Sequence, residues 1–182
     1  MANFSVPTRE EVSTKNQEIF DNLQKQVGFV PNLYATYAHS ETALGDYLAF
    51  SGRKTSLSAK EKEIINLVVS EVNGCAYCLA AHTAIGKMNG FNDDQILEIR
   101  TGSASFNEKF DALAKFVKNI SVNRSHPDAE VVDNFLAAGY TNENLIDAIV
   151  VIGDKTISNY IHGTTQIPVD FPAAPELEPA LA

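Results

Sequence analysis

Nearly every stretch of the chain places its apolar residues three and four positions apart, the spacing of one helix face. Val12, Ile19, Phe20, Leu23 and Val27 share a face of a helix expected over about residues 9–26, capped by Thr8 and ended by Gly28. Pro31 starts a second helix, and Ser40 or Thr42 opens a third that runs to about Gly52. Ser58-Ala59-Lys60-Glu61 forms a capping box and begins a helix of about 59–72. That helix carries Ile64, Ile65, Leu67, Val68, Val69 and Val72, an apolar run nearly all round, which places it in the core with Glu61 and Lys62 toward solvent. Asn73-Gly74 breaks the pattern, and a new helix runs from about Cys75 to Met88. Further helices are expected over about 93–100, 106–122, 128–138 and 142–163. The pairs Tyr34/Tyr37 and Phe106/Phe110 read most simply as core.

The pattern is all-α, with about seven to nine helices. Gly90-Phe91-Asn92-Asp93 and Gly139-Tyr140-Thr141-Asn142 repeat one device, a glycine and an aromatic ahead of a capped helix start. From Pro168 onward Pro172, Pro175 and Pro179 punctuate a tail expected to lie extended over the surface or over a neighbouring subunit. At 182 residues the chain suits one domain, read as 1–182, with a core of about 28–170 and the tail at 168–182.

Composition narrows the partners. The net charge is −9, from 14 basic and 23 acidic residues, which argues against nucleic acid because phosphate binding needs a basic face. No run approaches the roughly 20 apolar residues of a membrane span. The start, Met1 to Pro7, has neither the basic nor the apolar region of a signal peptide. The protein is therefore expected in the cytoplasm, where thiols are mostly reduced.

The chemistry concentrates at residues 71–82. Both cysteines of the chain, Cys75 and Cys78, lie there at Cys-x-x-Cys spacing. A disulfide closing so short a loop removes little unfolded-chain entropy, so the pair reads as redox-active rather than as a staple. Its place in the first turn of a helix favours thiolate, through unpaired N–H groups and the helix dipole. His82 follows one turn after Cys78, where an imidazole can accept a thiol proton or deliver one to a leaving oxygen. Two acids are placed to assist: Glu71 at the end of the preceding helix, and Glu63 inside an apolar helix, where a carboxylate needs a reason to be. The residues alone leave that choice open. The blander alternatives are two small buried hydrophobes and a core histidine. A zinc site built on Cys75, Cys78 and His82 lacks the usual second ligand pair. His39, His126 and His162 read as structural or exposed, and Tyr77 as part of a pocket wall. No glycine-rich phosphate loop is present, so no cofactor is expected.

Leu57-Ser58-Ala59-Lys60-Glu61-Lys62-Glu63-Ile64, followed by Val69-Ser70-Glu71-Val72-Asn73-Gly74-Cys75-Ala76-Tyr77-Cys78-Leu79-Ala80-Ala81-His82, resembles the carboxymuconolactone decarboxylase/AhpD-like superfamily, in its alkylhydroperoxidase or peroxidase-related branch. Phe29-Val30-Pro31-Asn32-Leu33, Ala38-His39-Ser40 and Pro168-Val169-Asp170 extend the likeness over about residues 28–170. The resemblance implies an AhpD-like helical bundle assembled as a trimer or hexamer, and a disulfide-forming pair at Cys75 and Cys78. It also implies that the relay acid is Glu63, with His82 as its partner. One departure stands out. The best-known branch carries a histidine before the second cysteine, and here that residue is Tyr77, which is no base near pH 7.

The function expected from these residues and this resemblance is a thiol peroxidase acting on hydrogen peroxide or organic hydroperoxides, re-reduced by a dithiol protein. Cys78 is taken as the attacker, being one turn from His82, with Cys75 resolving; the reverse order, as in thioredoxin-like motifs, is the alternative. The rivals are a disulfide reductase serving a separate peroxidase, a non-redox lactone decarboxylase or isomerase using His82 and Glu63, and a metal-binding or redox-sensing module without turnover.

Overall fold

The computed structural model describes residues 4–124 and 126–177. The described residues are all-helical. A short 3-10 turn at Arg9–Glu11 precedes α1 (Thr14–Val27), α2 (Asn32–Tyr37), α3 (Ala43–Ser51), α4 (Ala59–Val72), α5 (Ala76–Met88), α6 (Asp93–Arg100), α7 (Glu108–Val122), α8 (Ala129–Ala137) and α9 (Asn142–Thr165). Among these residues no helix is long and apolar enough to cross a membrane.

Helix α4 is the axis of the fold, touching α5, α6, α7 and α9. Its residues Ile64, Ile65, Leu67, Val68 and Val69 are fully buried, as the near-continuous apolar run requires. They join the larger apolar cluster, which includes Ile96, Ile99, Leu113, Phe116, Phe135 and Tyr140. A second cluster gathers Phe20, Leu33, Tyr37, Leu44 and Tyr47 around Cys75, Tyr77 and Cys78. The thiols thus sit where the α4–α5 turn meets a second body of packed helices.

Local chemistry explains most boundaries. Ser58 Oγ accepts from the Glu61 N–H, and the Glu61 carboxylate returns to the Ser58 N–H at 2.7 Å, closing the expected capping box. The repeated Gly-aromatic entry is real geometry. Gly90 and Gly139 hold φ of 87° and 93°, conformations open to glycine, and boxes closed by Asn92/Gln95 and Thr141/Asn144 follow.

Some expectations need correction. The first helix starts at Thr14, not residue 9, because Val12 is extended and buried while Ser13 caps the next turn. Val27, expected on that helix's inner face, is exposed. Glu61 is buried, held by Ser58 and lying 3.7 Å from Lys109, and Lys62 is half-buried rather than solvated. Phe106 lies ahead of α7 and is partly exposed, edge-on to Phe91 and Phe110. His162 is buried and His39 and His126 are exposed, which does not depart from the reading of all three as structural or exposed. The tail crosses its own chain. Asp170 Oδ2 accepts from the Asn32 N–H at 2.7 Å, Phe171 meets Phe29 and Tyr77 edge-on, and Arg100 Nη1 donates to the Pro175 carbonyl. Residues 178–182 of that tail lie outside the described residues.

Phe135 tests the larger cluster. It is fully buried, stacked on Phe116 at 4.4 Å and on Tyr140 at 4.3 Å between ring centroids. Phe135→Ala is expected to lower unfolding free energy in urea by about 3–5 kcal/mol. Cys78 belongs to the other cluster, so its alkylation rate in the folded variant should not change.

Candidate active site

The turn between α4 and α5 is built to present a thiol. Asn73 ends α4, and Gly74 takes φ of 62°, a left-handed conformation that a Cβ would strain. The Cys75 N–H then donates back to the Ser70 carbonyl at 2.9 Å. Cys75 is the N-cap of α5, and its sulfur accepts from the Cys78 N–H at 3.3 Å. The Cys75 thiol in turn donates to Cys78 Sγ, with the sulfurs 2.6 Å apart. Both cysteines are free and buried.

The two sulfurs do not share one environment. Cys78, not Cys75, lines a cavity of about 670 Å³, together with His82 and Glu63. The hydrogen bond from Cys75 lowers the Cys78 thiol to about 7, with help from the charge of Lys155 and from Asn159 and against the effect of burial. The same hydrogen bond, with burial, pushes Cys75 far up, so it keeps its proton.

His82 Nδ1 lies 2.7 Å from Glu63 Oε2, joining α5 to α4. Asn66 Nδ2 donates to Glu63 Oε1 at 3.0 Å. Burial disfavours the Glu63 charge, yet the imidazole, Lys155 and Asn66 outweigh it and hold the carboxyl below its ordinary range. Burial and Lys155 push His82 down, so near neutral pH the imidazole is uncharged. A charged carboxylate only accepts, which makes Nδ1–H the donor and leaves Nε2 with a lone pair. Of the two acids, Glu63 is the one that bonds the imidazole. Glu71 instead receives Arg100 Nε at 2.7 Å, an ion pair remote from the imidazole's hydrogen bond. One expected link is missing. The hydrogen bonds of the described residues join His82 to Glu63, not to Cys78, and the lowering of Cys78 comes from Cys75, Lys155 and Asn159.

Those last two residues escaped the sequence reading. Asp154, Lys155, Ser158, Asn159 and His162 are all buried on one face of α9. Their spacing of one, three and four residues is a helical stripe, but a polar stripe reads as solvent-facing by default. Asn159 bridges Asn73 and Ser70, bonding at 2.9 and 3.3 Å and bracing the turn that carries Cys75. Tyr77 lines the cavity as expected. Its hydroxyl accepts from the Leu33 N–H at 3.2 Å, and burial with the nearby Asp170 carboxylate pushes its pKa well up. It is a wall and a tether. Among the described residues no cluster of three or more His, Cys, Asp or Glu groups is arranged to hold a metal ion.

Residues 37–118 match the model of the carboxymuconolactone decarboxylase family. No curated protein matches the sequence. Among solved structures the fold is shared with a peroxidase-related protein from Silicibacter sp. TM1040, at TM-score 0.79 and 20% identity over 91% of this chain and 90% of that one. It is also shared with an alkylhydroperoxidase AhpD core, a peroxidase-related protein from Ralstonia eutropha JMP134, at TM-score 0.79 and 19% identity over 98% and 93%. A third is a cysteine-to-alanine variant of the debrominase Bmp8 in complex with 2,3,4-tribromopyrrole, at TM-score 0.75 and 19% identity over 93% of each chain.

The electrostatics give a direct test. Iodoacetamide at limiting dose is expected to label Cys78 before Cys75, with a rate that rises as pH passes about 7. Lys155→Met removes a positive charge that favours the thiolate, so the midpoint should move toward the free-thiol value of about 8.5. Coincident titrations for the two proteins would show that Cys78 does not feel Lys155.

Proposed function

We propose that this chain belongs to the carboxymuconolactone decarboxylase/AhpD-like superfamily and is a thiol-dependent peroxidase. The observation that carries the reading is the asymmetry of the thiols. Cys78 faces a cavity with its thiol lowered to about 7, while Cys75 stands behind it, protonated and in contact.

The cycle uses Glu63, His82, Cys78 and Cys75. His82 Nε2 takes the Cys78 thiol proton, and Glu63 balances the imidazolium. The thiolate attacks the terminal oxygen of the hydroperoxide. The S–O bond forms as the O–O bond breaks, and Cys78 becomes a sulfenic acid. The imidazolium, made a strong acid by burial, returns its proton to the leaving alkoxide. Cys75 then attacks the Cys78 sulfur, the S–S bond replaces the S–O bond, and water leaves with the Cys75 proton. A dithiol protein reduces the disulfide and releases both thiols.

A second reading is favoured by the size and aromatic lining of the cavity, which suit a small ring compound. One structural relative is a debrominase seen with a bromopyrrole. In that reading the thiolate attacks a ring halogen, the ring carbon takes the His82 proton, and Cys75 displaces halide from sulfur. Both readings end in the same disulfide, so comparing a hydroperoxide with a halogenated ring as oxidant separates them. A disulfide reductase would consume peroxide only with a partner peroxidase present.

The proposal includes self-association. Opposite its polar inner stripe, α9 exposes Ile146, Ile149, Ile157 and Tyr160. Gly153 falls within that outer stripe and has nothing within 4 Å of a Cβ position, so another helix can approach closely. A helix with its polar face inside and its apolar face outside is a helix made for a neighbour. Light scattering of the wild type should report a closed oligomer, and Ile157→Asp should shift it toward monomer. A monomeric wild type at micromolar concentration would remove this part of the reading.

One equivalent of hydroperoxide should remove about two mass units per chain, through a Cys75–Cys78 disulfide. Cys75→Ser should stop at a sulfenic acid on Cys78 that dimedone traps, and Cys78→Ser should not react. Glu63→Gln should slow turnover roughly 10- to 1000-fold, the usual general acid–base contribution. Glu71→Gln should act on stability instead, by freeing buried Arg100. The relay is wrong if Glu71→Gln is the variant that loses turnover while Glu63→Gln keeps it.

A further inference from the structure

The proposed cycle returns a proton from His82, which holds one only when Cys78 starts as a thiol. With the Cys78 thiol lowered to about 7, most of the protein at about pH 8 starts as thiolate, its proton already in solvent. Burial and Lys155 keep the imidazole uncharged there. The O–O bond of a hydroperoxide then breaks toward an alkoxide, with no proton on His82 to meet it. That form of the protein needs another acid at the cavity.

The ionic side chains lining the cavity are Arg53, Lys62, Glu63, Asp154 and Lys155. Charged carboxylates only accept, and a guanidinium does not give up its proton, so the candidates are the two lysines. Lys62 is half-buried and keeps part of its water. Lys155 is only 8% exposed, yet its Nζ has no hydrogen-bond or ion-pair partner among the described residues. Nor is that nitrogen sealed, as Arg53 Nη2 and Asp154 Oδ1 are: it keeps accessible surface, on a side chain that lines the cavity. A buried ammonium in this position holds free donors for an oxygen that enters. On α9 it stands one turn from Asn159, which bonds Ser70 and Asn73 at the turn carrying Cys75. The Lys155 charge accordingly acts on Cys78, Glu63 and His82 together.

We propose that Lys155 is the proton donor for the thiolate form of the site: its ammonium meets the leaving oxygen of an organic hydroperoxide bound at Cys78 and gives it a proton. The inference rests on the peroxidase reading. The Cys78 sulfur takes the terminal OH, the electron pair of the O–O bond stays on the leaving oxygen, and that oxygen takes one proton from Nζ. Cys78 is then a sulfenic acid, the product is a neutral alcohol, and the lysine amine recovers its proton from water. Negative charge moves from sulfur to oxygen in this step, and the cation that favours the first is placed to meet the second.

The test oxidises the reduced full chain with tert-butyl hydroperoxide and with peracetic acid at about pH 8, following disulfide formation by mass in quenched samples. Both oxidants deliver an oxygen to the same sulfur, but acetate leaves as a stable anion and needs no proton. Lys155→Met should lower the hydroperoxide rate relative to the peracid rate at least about tenfold. The ratio cancels any change in the thiolate fraction, which slows both oxidants alike. Lys155→Gln should do the same, and cooperative thermal unfolding shows that each variant is folded. Lys62→Met should keep the wild-type ratio. An unchanged ratio in a folded Lys155 variant would overturn the role of Lys155 and leave the peroxidase reading standing. Loss of the ratio in Lys62→Met instead would overturn it as well, by moving the acid to α4. A wild type that peracetic acid oxidises and tert-butyl hydroperoxide does not would remove the peroxidase reading, and this inference with it.

Discussion

Helix α4 is covered by α5, α6, α7 and α9, so a charged side chain on its inner faces has to find its partner inside the protein. Glu63 is that side chain. Its hydrogen bonds to His82 and Asn66 make the carboxylate tolerable, and the same bonds fix the imidazole. The α4–α5 packing, the tautomer of His82 and the lone pair left on Nε2 all follow from this one pairing. A buried carboxylate held by hydrogen bonds contributes little net stability and costs much when its partners are removed. Its place in a helix covered by four others fits the acid role proposed for it.

The thiols show how position divides two identical residues into two roles. Cys75 is an N-cap, and its sulfur accepts a backbone N–H while its proton points to Cys78. Cys78 is three residues further on, inside the first turn and open to the cavity. A hydrogen bond received favours the charged form, and one donated holds the proton in place. Lys155 and Asn159 on α9 add to the first effect. The proposed attack by Cys78 and resolution by Cys75 would start from this arrangement. The charge on Cys78 is favoured by Cys75 and α9, not by a hydrogen bond from His82.

Helix existence was legible because apolar spacing and capping chemistry are local. Ser58 with Glu61, Gly28, and the Asn73-Gly74 break all act within a turn of where they stand. What was not legible is what side chains meet across the fold. Glu61 reads as solvated until Ser58 and Lys109 are seen closing over it. Val12 reads as part of α1 until its burial in the second cluster draws the chain into an extended residue. The α9 stripe is the largest such case. Its polar residues have helical spacing, and nothing local distinguishes a polar face turned inward from one turned to water. The apolar residues on its opposite face, Ile146, Ile149, Ile157 and Tyr160, were the available sign that the helix is reversed.

Tyr77 stands where the branch that the sequence resembles would be expected to carry a histidine. A phenol buried beside Asp170 holds its proton, so the proposed relay has one base, His82. In exchange the ring becomes structural. It accepts from the Leu33 N–H of α2, meets Phe171 of the tail at 5.6 Å, and lies 5.4 Å from the His162 ring of α9. One side chain between the two cysteines thereby anchors α2, the tail and α9 around the cavity. A cavity with fixed walls and a single base suits a reaction in which binding an organic body positions the reacting atom, because a proton shuttled by one imidazole demands that the leaving group arrive in one place. The bulk of the cavity, the single base and the tyrosine tether are then parts of one arrangement, in which positioning takes over work that a second base would otherwise share.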